Sequence, residues 1–235
     1  MNTYAERYHL KSAAAWLRGH AMKTGAPEID PELLEMPLEV LTDDELSAIV
    51  ELGEKTGQKL YPFKTGKAEL PRVRQVLGFL HGIEFDTLLD VGSGRGVFLL
   101  PFMEEFPQVQ VTSLDLLDKR VTFLSELAAG GYSRLTACKR NICDRPFPEN
   151  SFDVVTLLEV LEHIPEVDRA VAAAVKMARK YVVVSVPSKE DDNPEHIHLL
   201  TKDILTELFA AAGCTGLHFG GVNGHLIMMA NIAKE

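Results

Sequence analysis

The stretch Leu88–Gly96, LLDVGSGRG, joins an apolar run to three glycines in the spacing GxGxG. A short apolar run is typical of a buried strand, and glycines that follow a strand permit positive φ and a close approach of the backbone to a ligand. A pattern typical of a helix follows over residues 95–105. The stretch therefore predicts the strand, ligand-binding turn and helix that begin an α/β domain.

The alternation of strands and helices continues to the end of the chain. Runs such as Tyr181–Val186 are continuously apolar, as expected where helices cover both faces of a parallel sheet. We expect strands at residues 86–91, 109–115, 134–139, 152–158, 180–186, 215–220 and 225–231, and helices at 95–105, 118–130, 166–178 and 202–212. The sequence thus predicts an α/β fold with a doubly wound, mostly parallel, seven-stranded sheet.

The early part of the chain shows helical patterns without strands. The expected helices lie in the first 21 residues, after Asp30 and before Pro37, over residues 43–52 with a stop at Gly53, and from Pro71 onward. Residues 54–67 are expected to form a loop. The sequence is therefore interpreted as an N-terminal helical region, 1–81, followed by an α/β domain, 82–235.

The composition indicates a soluble protein of the cytoplasm. The 235 residues carry a net charge of −10, and the chain has no apolar window of about 18 residues that would span a bilayer. The three cysteines form no CxxC pair, which suits a reducing compartment, and no export signal is found. An acidic chain disfavours polyanions, so we expect a small-molecule partner rather than nucleic acid or a membrane. The pattern does not define an oligomeric state.

The residues around the glycines indicate the kind of ligand. A dinucleotide-binding turn would have its third glycine at position 97, where this chain has Val97. Asp90 precedes the turn, and its carboxylate suits an ammonium or sulfonium group better than a pyrophosphate. Asp115 ends the next predicted strand, where its two oxygens can accept hydrogen bonds from both hydroxyls of a ribose. Alternatively, Asp115 is an ordinary strand-end or helix-capping residue.

Four segments in this order resemble class I S-adenosylmethionine-dependent methyltransferases of the ubiquinone-biosynthesis, or methyltransferase type 11-like, family: LLDVGSGRG, VTSLDLLDKRV, RNICDRPFPENSFDVV and LLEVLEHI. The likeness covers about residues 85–215. It implies the Rossmann-like methyltransferase fold, S-adenosylmethionine as cofactor and S-adenosylhomocysteine as product. Together with the acidic composition, it leads us to expect methyl transfer to an oxygen, nitrogen or carbon nucleophile of a small-molecule acceptor, and we expect the N-terminal helices to shape the acceptor pocket.

The resemblance assigns cofactor contacts to particular residues. It places the methionine moiety at Asp90 and the glycine turn, the ribose at Asp115, and the adenine at Asn141 with the backbone of Ile142. The expected cofactor-binding residues are Asp90, Gly92, Ser93, Gly94, Gly96, Asp115, Leu116, Asn141, Ile142 and Glu159. The family usually has aspartate at the position of Asn141, so this contact loses the charge assistance of a carboxylate. The alternative is that Asn141 caps a turn.

The segment Glu159–His163, EVLEH, follows the fourth predicted strand and should face the reaction centre. Methyl transfer is an in-line displacement, for which a protein supplies proximity, orientation and in some cases a base. His163 is the candidate catalytic base, because imidazole titrates near neutral pH. The alternative is that His163 fixes the turn, as this histidine often does in the family that the chain resembles.

A different interpretation makes Glu159, Glu162, His163 and His196 the ligands of a divalent metal ion. In this respect the chain resembles methyltransferases that act on the terminal ribose of small RNAs, which have a similar Glu, Glu, His cluster and a later histidine. The acidic composition and the lack of a stripe rich in Lys and Arg disfavour an RNA substrate. We therefore assign no residue to a metal site, and a divalent metal stays the less favoured alternative.

Two segments are candidates for acceptor recognition, the polar loop Ser188–Leu200 and the first helix with Tyr4, Tyr8 and Trp16. A loop at this edge of the sheet can form an acceptor wall, and the helix would act as a lid. Alternatively, the aromatic residues of the helix pack on the domain. A non-catalytic, cofactor-binding subunit that recognises a partner through the N-terminal helices is the third function that the sequence leaves open.

Overall fold

The computed structural model describes residues 4–60, 63, 70–190 and 192–232. Residues 61, 62 and 64–67 of the predicted loop 54–67 lie outside the described part, as do the side chains of Tyr4 and Tyr8. The N-terminal helices are α1 (Tyr4–Thr24), α2 (Pro31–Glu35), α3 (Asp43–Lys55) and α4 (Pro71–Leu80). Thr42 and Glu45 form a capping box, which satisfies backbone groups at the start of α3.

The α/β part follows the predicted alternation. Its elements are β1 (Thr87–Val91), α5 (Leu99–Glu105), β2 (Gln110–Asp115), α6 (Asp118–Ala129), β3 (Leu135–Lys139), β4 (Phe152–Leu158), α7 (Val167–Met177), β5 (Ala178–Pro187), α8 (Lys202–Ala211), β6 (Gly216–Val222) and β7 (His225–Asn231). Short 3-10 helices lie at Leu38–Val40, Ile142–Asp144 and Leu161–His163. The predicted strand boundaries differ from the observed ones by no more than two residues.

The strands form one sheet in the order β3-β2-β1-β4-β5-β7-β6. The first five in this order are parallel, whereas β7 runs antiparallel to both of its neighbours. The doubly wound, mostly parallel, seven-stranded sheet is thus confirmed. The strand order reverses between β1 and β4, and in sheets of this kind the crevice at the carboxyl ends of such strands receives ligands.

The helix after the glycine turn begins later than the sequence predicts. A helix is expected over residues 95–105, but α5 starts at Leu99. Gly94 and Gly96 have φ angles of +57° and +78°, in the left-handed region that a right-handed helix cannot contain. The helical prediction for residues 95–98 is therefore wrong, because the turn extends through them.

The predicted helix stop at Gly53 is also wrong, since α3 continues to Lys55. A Cβ atom on Gly53 would lie 2.6 Å from Cδ1 of Leu17 in α1, closer than packed atoms approach. Leu17 itself is fully buried. The glycine therefore serves the close packing of two helices rather than the end of one.

Helix α1 packs along α6 of the α/β part. A Cβ atom on Gly19 would lie only 1.8 Å from the backbone oxygen of Glu126, so the two helix backbones touch there. Trp16 Nε1 donates a hydrogen bond of 2.8 Å to Oε2 of Glu126, whose side chain is buried. Leu17 and Leu127 belong to one apolar cluster that contains residues of both predicted regions. The two regions share a core, and the boundary at residue 81 stays a prediction.

The three cysteines form no disulfide bond. Cys138, Cys143 and Cys214 are all free thiols, and burial raises the pKa of the Cys214 thiol. None of the helices formed by the described residues is long and apolar enough to cross a membrane.

The contact of α1 with α6 predicts opposite effects for the same substitution at two helical glycines. Gly19→Ala should destabilise the protein by about 1–3 kcal/mol or more, because its methyl group overlaps the Glu126 backbone. Gly78→Ala should stabilise it by about 0.5–1 kcal/mol, because Gly78 is an exposed residue of α4 with open space around its Cβ position. Urea unfolding of both variants checks this, and effects of the same sign would contradict the packing described here.

Candidate active site

A cavity of about 180 Å³ opens at the carboxyl ends of β1 and β4. Its walls come from the glycine turn, from α4 and from the ends of β4 and β5. The lining residues are Arg72, Val73, Val76, Asp90, Gly92, Ser93, Gly94, Arg95, Val97, Phe98, Leu158, Glu159 and Ser185. The structure therefore brings together five of the predicted cofactor-binding residues: Asp90, Gly92, Ser93, Gly94 and Glu159.

The glycine turn is fixed from both sides. The Gly92 backbone nitrogen donates a hydrogen bond of 2.7 Å to the Leu114 backbone oxygen in β2. Gly92 has φ +68°, and a Cβ atom there would lie 2.6 Å from Cγ2 of Val160, which follows β4. Only glycine fits this backbone conformation in this space. At Gly94, by contrast, the nearest atom to an added Cβ would be 3.8 Å away, so the turn has open space at its tip.

Asp90 is a buried carboxyl at the floor of the cavity. Its side chain is 2% exposed and accepts a hydrogen bond of 2.7 Å at Oδ1 from Thr156 Oγ1 in β4. Burial raises the pKa of Asp90 to about 6, and the neighbouring charge of Asp115 adds to this, while the hydrogen bond from Thr156 opposes it. A positive group bound beside this carboxyl would favour its ionised form.

Glu159 adopts a strained backbone conformation at the cavity wall. Its φ angle is +58°, which is rare for a residue other than glycine and costs about 1–3 kcal/mol. Ser185 Oγ donates a hydrogen bond of 2.7 Å to Glu159 Oε1, and His225 Nε2 lies 3.2 Å from Glu159 Oε2. The surrounding strands β5 and β7 therefore hold this carboxylate in one place.

Asp115 and Leu116 lie at the end of β2, outside the cavity lining. Asp115 Oδ1 accepts a hydrogen bond of 2.9 Å from the Leu117 backbone nitrogen, so one oxygen serves the start of α6. Leu116 is 58% exposed at the same edge. Gly96 also lies outside the lining, because its Cβ position faces Cγ of Leu100 at 2.7 Å. Ribose contacts at Asp115 and Leu116 stay a prediction.

Asn141 follows β3 and caps a 3-10 helix. Its Oδ1 accepts a hydrogen bond of 2.9 Å from the Cys143 backbone nitrogen, and Ile142 is buried. The structure thus shows the turn-capping role that the sequence left as an alternative. A carbonyl oxygen has a second lone pair, so the adenine contact stays a prediction.

The predicted base, His163, does not line the cavity. It ends the 3-10 helix after β4, and its Nδ1 lies 2.9 Å from the backbone oxygen of Glu195 in the loop 188–200. The structure also divides the four residues considered as metal ligands. Glu159 contacts Ser185 and His225, whereas Glu162, His163 and His196 lie together elsewhere.

The segments predicted to recognise an acceptor occupy different places. Trp16 of α1 packs against Phe63 and Phe123, with ring centroids 6.0 and 6.4 Å away, and does not line the cavity. The residues of the loop 188–200 that the structure describes form no regular helix or strand, and they contact the 3-10 helix Leu161–His163. Helix α4, rather than α1, supplies the N-terminal wall of the cavity.

Several residues of the site have no clear signal in the sequence. Arg72, Val73 and Val76 line the cavity from α4, whose later residue Phe79 packs against Tyr181 of β5. His225 reaches Glu159 because β7 pairs with β5, far along the chain. Ser185 had a weak signal, as a polar residue at the carboxyl end of a strand that is otherwise apolar.

The buried carboxyl predicts a pH-dependent effect of Asp90→Asn. The pKa of Asp90 is raised from 3.8 to about 6, which means that the folded state binds the carboxyl proton more tightly than the unfolded state does. The contribution of Asp90 to the free energy of unfolding therefore falls as pH rises from about 4 to about 6. The variant lacks this titration. Its stability relative to the wild type should therefore increase by about 2–3 kcal/mol between about pH 4 and about pH 7.5. Urea unfolding at both pH values measures this difference, and a constant difference would contradict the assignment.

Comparison with known proteins identifies this part of the chain. Residues 89–184 match the family model described as a methyltransferase domain. The matched range runs from β1 to β5 and includes the glycine turn, Asp90 and Glu159. The family match and the cavity therefore involve the same elements.

Curated relatives match shorter stretches. The ribosomal RNA small subunit methyltransferase G of Levilactobacillus brevis is 60% identical over 43 residues, which cover 18% of this chain and 18% of that protein. An uncharacterized methyltransferase of Schizosaccharomyces pombe is 33% identical over 101 residues, which cover 40% of this chain and 35% of that protein. The chain thus spans about a fifth to a third of the length of these relatives.

Solved structures share the fold. The phosphoethanolamine N-methyltransferase 2 of Haemonchus contortus, determined with phosphomonomethylethanolamine and S-adenosylhomocysteine, superposes with a TM-score of 0.60 at 14% identity, over 70% of this chain and 53% of that chain. At such identity the likeness concerns the fold alone. Residues 89–184 thus match a methyltransferase domain of the methyltransferase type 11 kind, within a fold that these methyltransferase structures share.

Proposed function

We propose that this protein transfers a methyl group from S-adenosylmethionine to an oxygen, nitrogen or carbon nucleophile of a small-molecule acceptor. The observation that carries the proposal is the cavity at the switch point, where the glycine turn, buried Asp90 and Glu159 meet. The methyltransferase domain match over residues 89–184 supports it. The Haemonchus contortus neighbour, determined with S-adenosylhomocysteine, supports the choice of cofactor.

The strand order suggests how the cofactor would extend. Asp90 is the penultimate residue of β1, Asp115 ends β2 and Asn141 follows β3, and these strands are adjacent in the sheet. A ligand with its methionine moiety in the cavity would therefore pass Asp115 with its ribose and reach Asn141 with its adenine. The unused oxygen of Asp115 and the exposed Leu116 suit a ribose and an adenine face.

A positively charged side chain, that of Arg72, lines the cavity and could bind the carboxylate of the methionine moiety. Arg72 lines the cavity from α4, and no residue in the described part of the chain forms a hydrogen bond or ion pair with its side chain. The carboxyls of the same cavity already have protein partners, Thr156 for Asp90, and Ser185 with His225 for Glu159. A guanidinium binds a ligand carboxylate in a bidentate, charge-assisted manner.

The reaction requires the chain to orient an acceptor and to receive a proton. Bound S-adenosylmethionine supplies a methyl group activated for in-line displacement. Val73, Val76 and Phe98 provide an apolar wall that excludes water beside the glycine turn. A hydroxyl or amine nucleophile that enters the cavity meets Glu159, whose carboxylate can accept its hydrogen bond. His163 as the base requires an acceptor that reaches beyond the cavity lining.

The small-molecule acceptor and the compartment rest on composition. A net charge of −10 disfavours binding of a polyanion, and three free thiols suit a reducing cytoplasm. An assay panel of small-molecule nucleophiles and short RNAs, read by formation of S-adenosylhomocysteine, tests the proposal. Turnover with RNA alone would favour the RNA-end alternative, and cofactor binding without turnover on any acceptor would favour the non-catalytic subunit.

Asp115→Ala should weaken binding of S-adenosylhomocysteine by about 10-fold to 100-fold, because the ribose loses its charge-assisted hydrogen bonding to this carboxylate. Asp118→Ala is the matched control. Asp118 lies three residues further along at the start of α6, is 80% exposed and pairs with Lys139, so its removal should change the Kd less than about twofold. Isothermal titration calorimetry gives both values. Equal binding by the two variants would count against the ribose assignment.

Arg72→Met should weaken S-adenosylhomocysteine by about 10-fold or more, because the ligand carboxylate loses its charge-assisted partner. Binding of 5′-methylthioadenosine, which lacks the amino-acid moiety, should stay within about twofold of the wild type. Arg74→Met, at an exposed position of the same helix outside the cavity lining, is the control. The assignment fails if Arg72→Met weakens both ligands equally or neither of them.

A further inference from the structure

Three side chains outside the proposed cofactor cavity converge next to the end of β4. Glu162 and His163 belong to the 3-10 helix Leu161–His163, and His196 belongs to the loop 188–200. One ligand atom from each of these three residues, here called the Glu-His cluster, lies within 4.8 Å of the other two. The convergence is produced by the fold, because His196 is more than thirty residues away in sequence.

The backbone holds the two segments of the Glu-His cluster together. The Ile197 backbone nitrogen donates a hydrogen bond of 2.9 Å to the Glu162 backbone oxygen. The His196 backbone nitrogen donates one of 3.0 Å to the Asn193 backbone oxygen, which shapes the loop before the histidine. The imidazole rings of His163 and His196 are in contact, with centroids 4.8 Å apart and planes inclined at 64°.

The tautomer of His163 suits metal binding. Its Nδ1 lies 2.9 Å from the Glu195 backbone oxygen, an acceptor that requires a proton on Nδ1. In the neutral imidazole the lone pair is then on Nε2, which lies 4.0 Å from Glu162 Oε1. A hydrogen bond from the far ring nitrogen to a backbone carbonyl is the arrangement that usually orients a metal-binding histidine.

The burial of Glu162 also favours the binding of a cation. Its side chain is fully buried, and attraction between a carboxylate and a cation is stronger where water is excluded. A cation between this carboxylate and the two imidazoles would lie within reach of all three side chains. His196 lines a second cavity, of about 250 Å³, together with His198 and Lys189, which gives an ion and its remaining ligands access from solvent.

We propose that the Glu-His cluster binds one divalent first-row transition-metal ion, such as Zn²⁺ or Mn²⁺. Two imidazole nitrogens and one carboxylate oxygen form a donor set that these ions accept, with positions left for water or a ligand. In a tetrahedral site whose ligand atoms lie about 2.0–2.2 Å from the ion, these atoms are about 3.3–3.6 Å apart, so rotation of the side chains has to draw the cluster together by about 1–1.5 Å. The bound ion would tie the loop 188–200 to the end of β4, next to the cofactor cavity.

Titration of the full-length protein, freed of metal by chelator and dialysis, with Co²⁺ tests the proposal through the visible absorption of the bound ion. We expect one Co²⁺ per chain, displaced by Zn²⁺, and an affinity reduced at least about 10-fold by His196→Asn. His198→Asn is the matched control, because His198 lies in the same loop and lines the same cavity but has its Nε2 3.0 Å from the Ile164 backbone oxygen. Its affinity should change less than about threefold.

A second variant, Glu162→Gln, keeps the side-chain shape and should also weaken Co²⁺ binding by at least about 10-fold. Failure of the wild type to bind Co²⁺, Zn²⁺ and Mn²⁺, or equal loss in the His196→Asn and His198→Asn variants, would overturn the proposal. Binding of S-adenosylhomocysteine is measured on the same metal-free samples. Intact cofactor binding without metal binding overturns only the metal site, and the reverse result overturns only the proposed function.

Discussion

The pairing of β1 with β4 is the constraint on which the rest of the site depends. It places Asp90 opposite Thr156, whose hydroxyl donates to the buried carboxyl, and it brings Val160 against Gly92. No Cβ atom fits between the turn and Val160, and Gly92 has a positive φ, so only glycine suits this position. The cavity is the space that remains where the helices after β1 and β4 diverge to opposite faces of the sheet.

The N-terminal helices are part of the same packed unit as the sheet. Close contact of α1 with α6 at Gly19, and of α3 with α1 at Gly53, buries Leu17 completely. Helix α4 contributes Arg72 to the cavity from its first turn. Leu17 of α1 and Val73 of the cavity wall belong to one apolar cluster, so the N-terminal helices and the wall beside the proposed cofactor share a close-packed core.

The acidic residues near the cavity differ in their burial and in the groups that surround them. Asp90 is buried, with its pKa raised to about 6. Glu159 is partly exposed and held between Ser185 and His225. Glu162 is buried beside two imidazoles. Glu159 and Glu162 are only three residues apart, but the chain turns at Glu159, which has a positive φ, and the two side chains lie in separate sites. Carboxylates close in sequence can therefore serve a cofactor cavity and a metal site independently.

The sequence alone determined the sheet, because continuous apolar runs and the glycine turn are local patterns that burial enforces. It also indicated Asp90, Gly92 and Gly94 as neighbours, since residues next to a strand end keep that position in any such fold. The helix stop predicted at Gly53 and the helix predicted over residues 95–98 were wrong, because the effect of a glycine depends on its φ and on what packs against it. Only tertiary structure brought Arg72, His225 and His196 into place, because contacts between distant segments follow from strand order and helix packing, which no local pattern records.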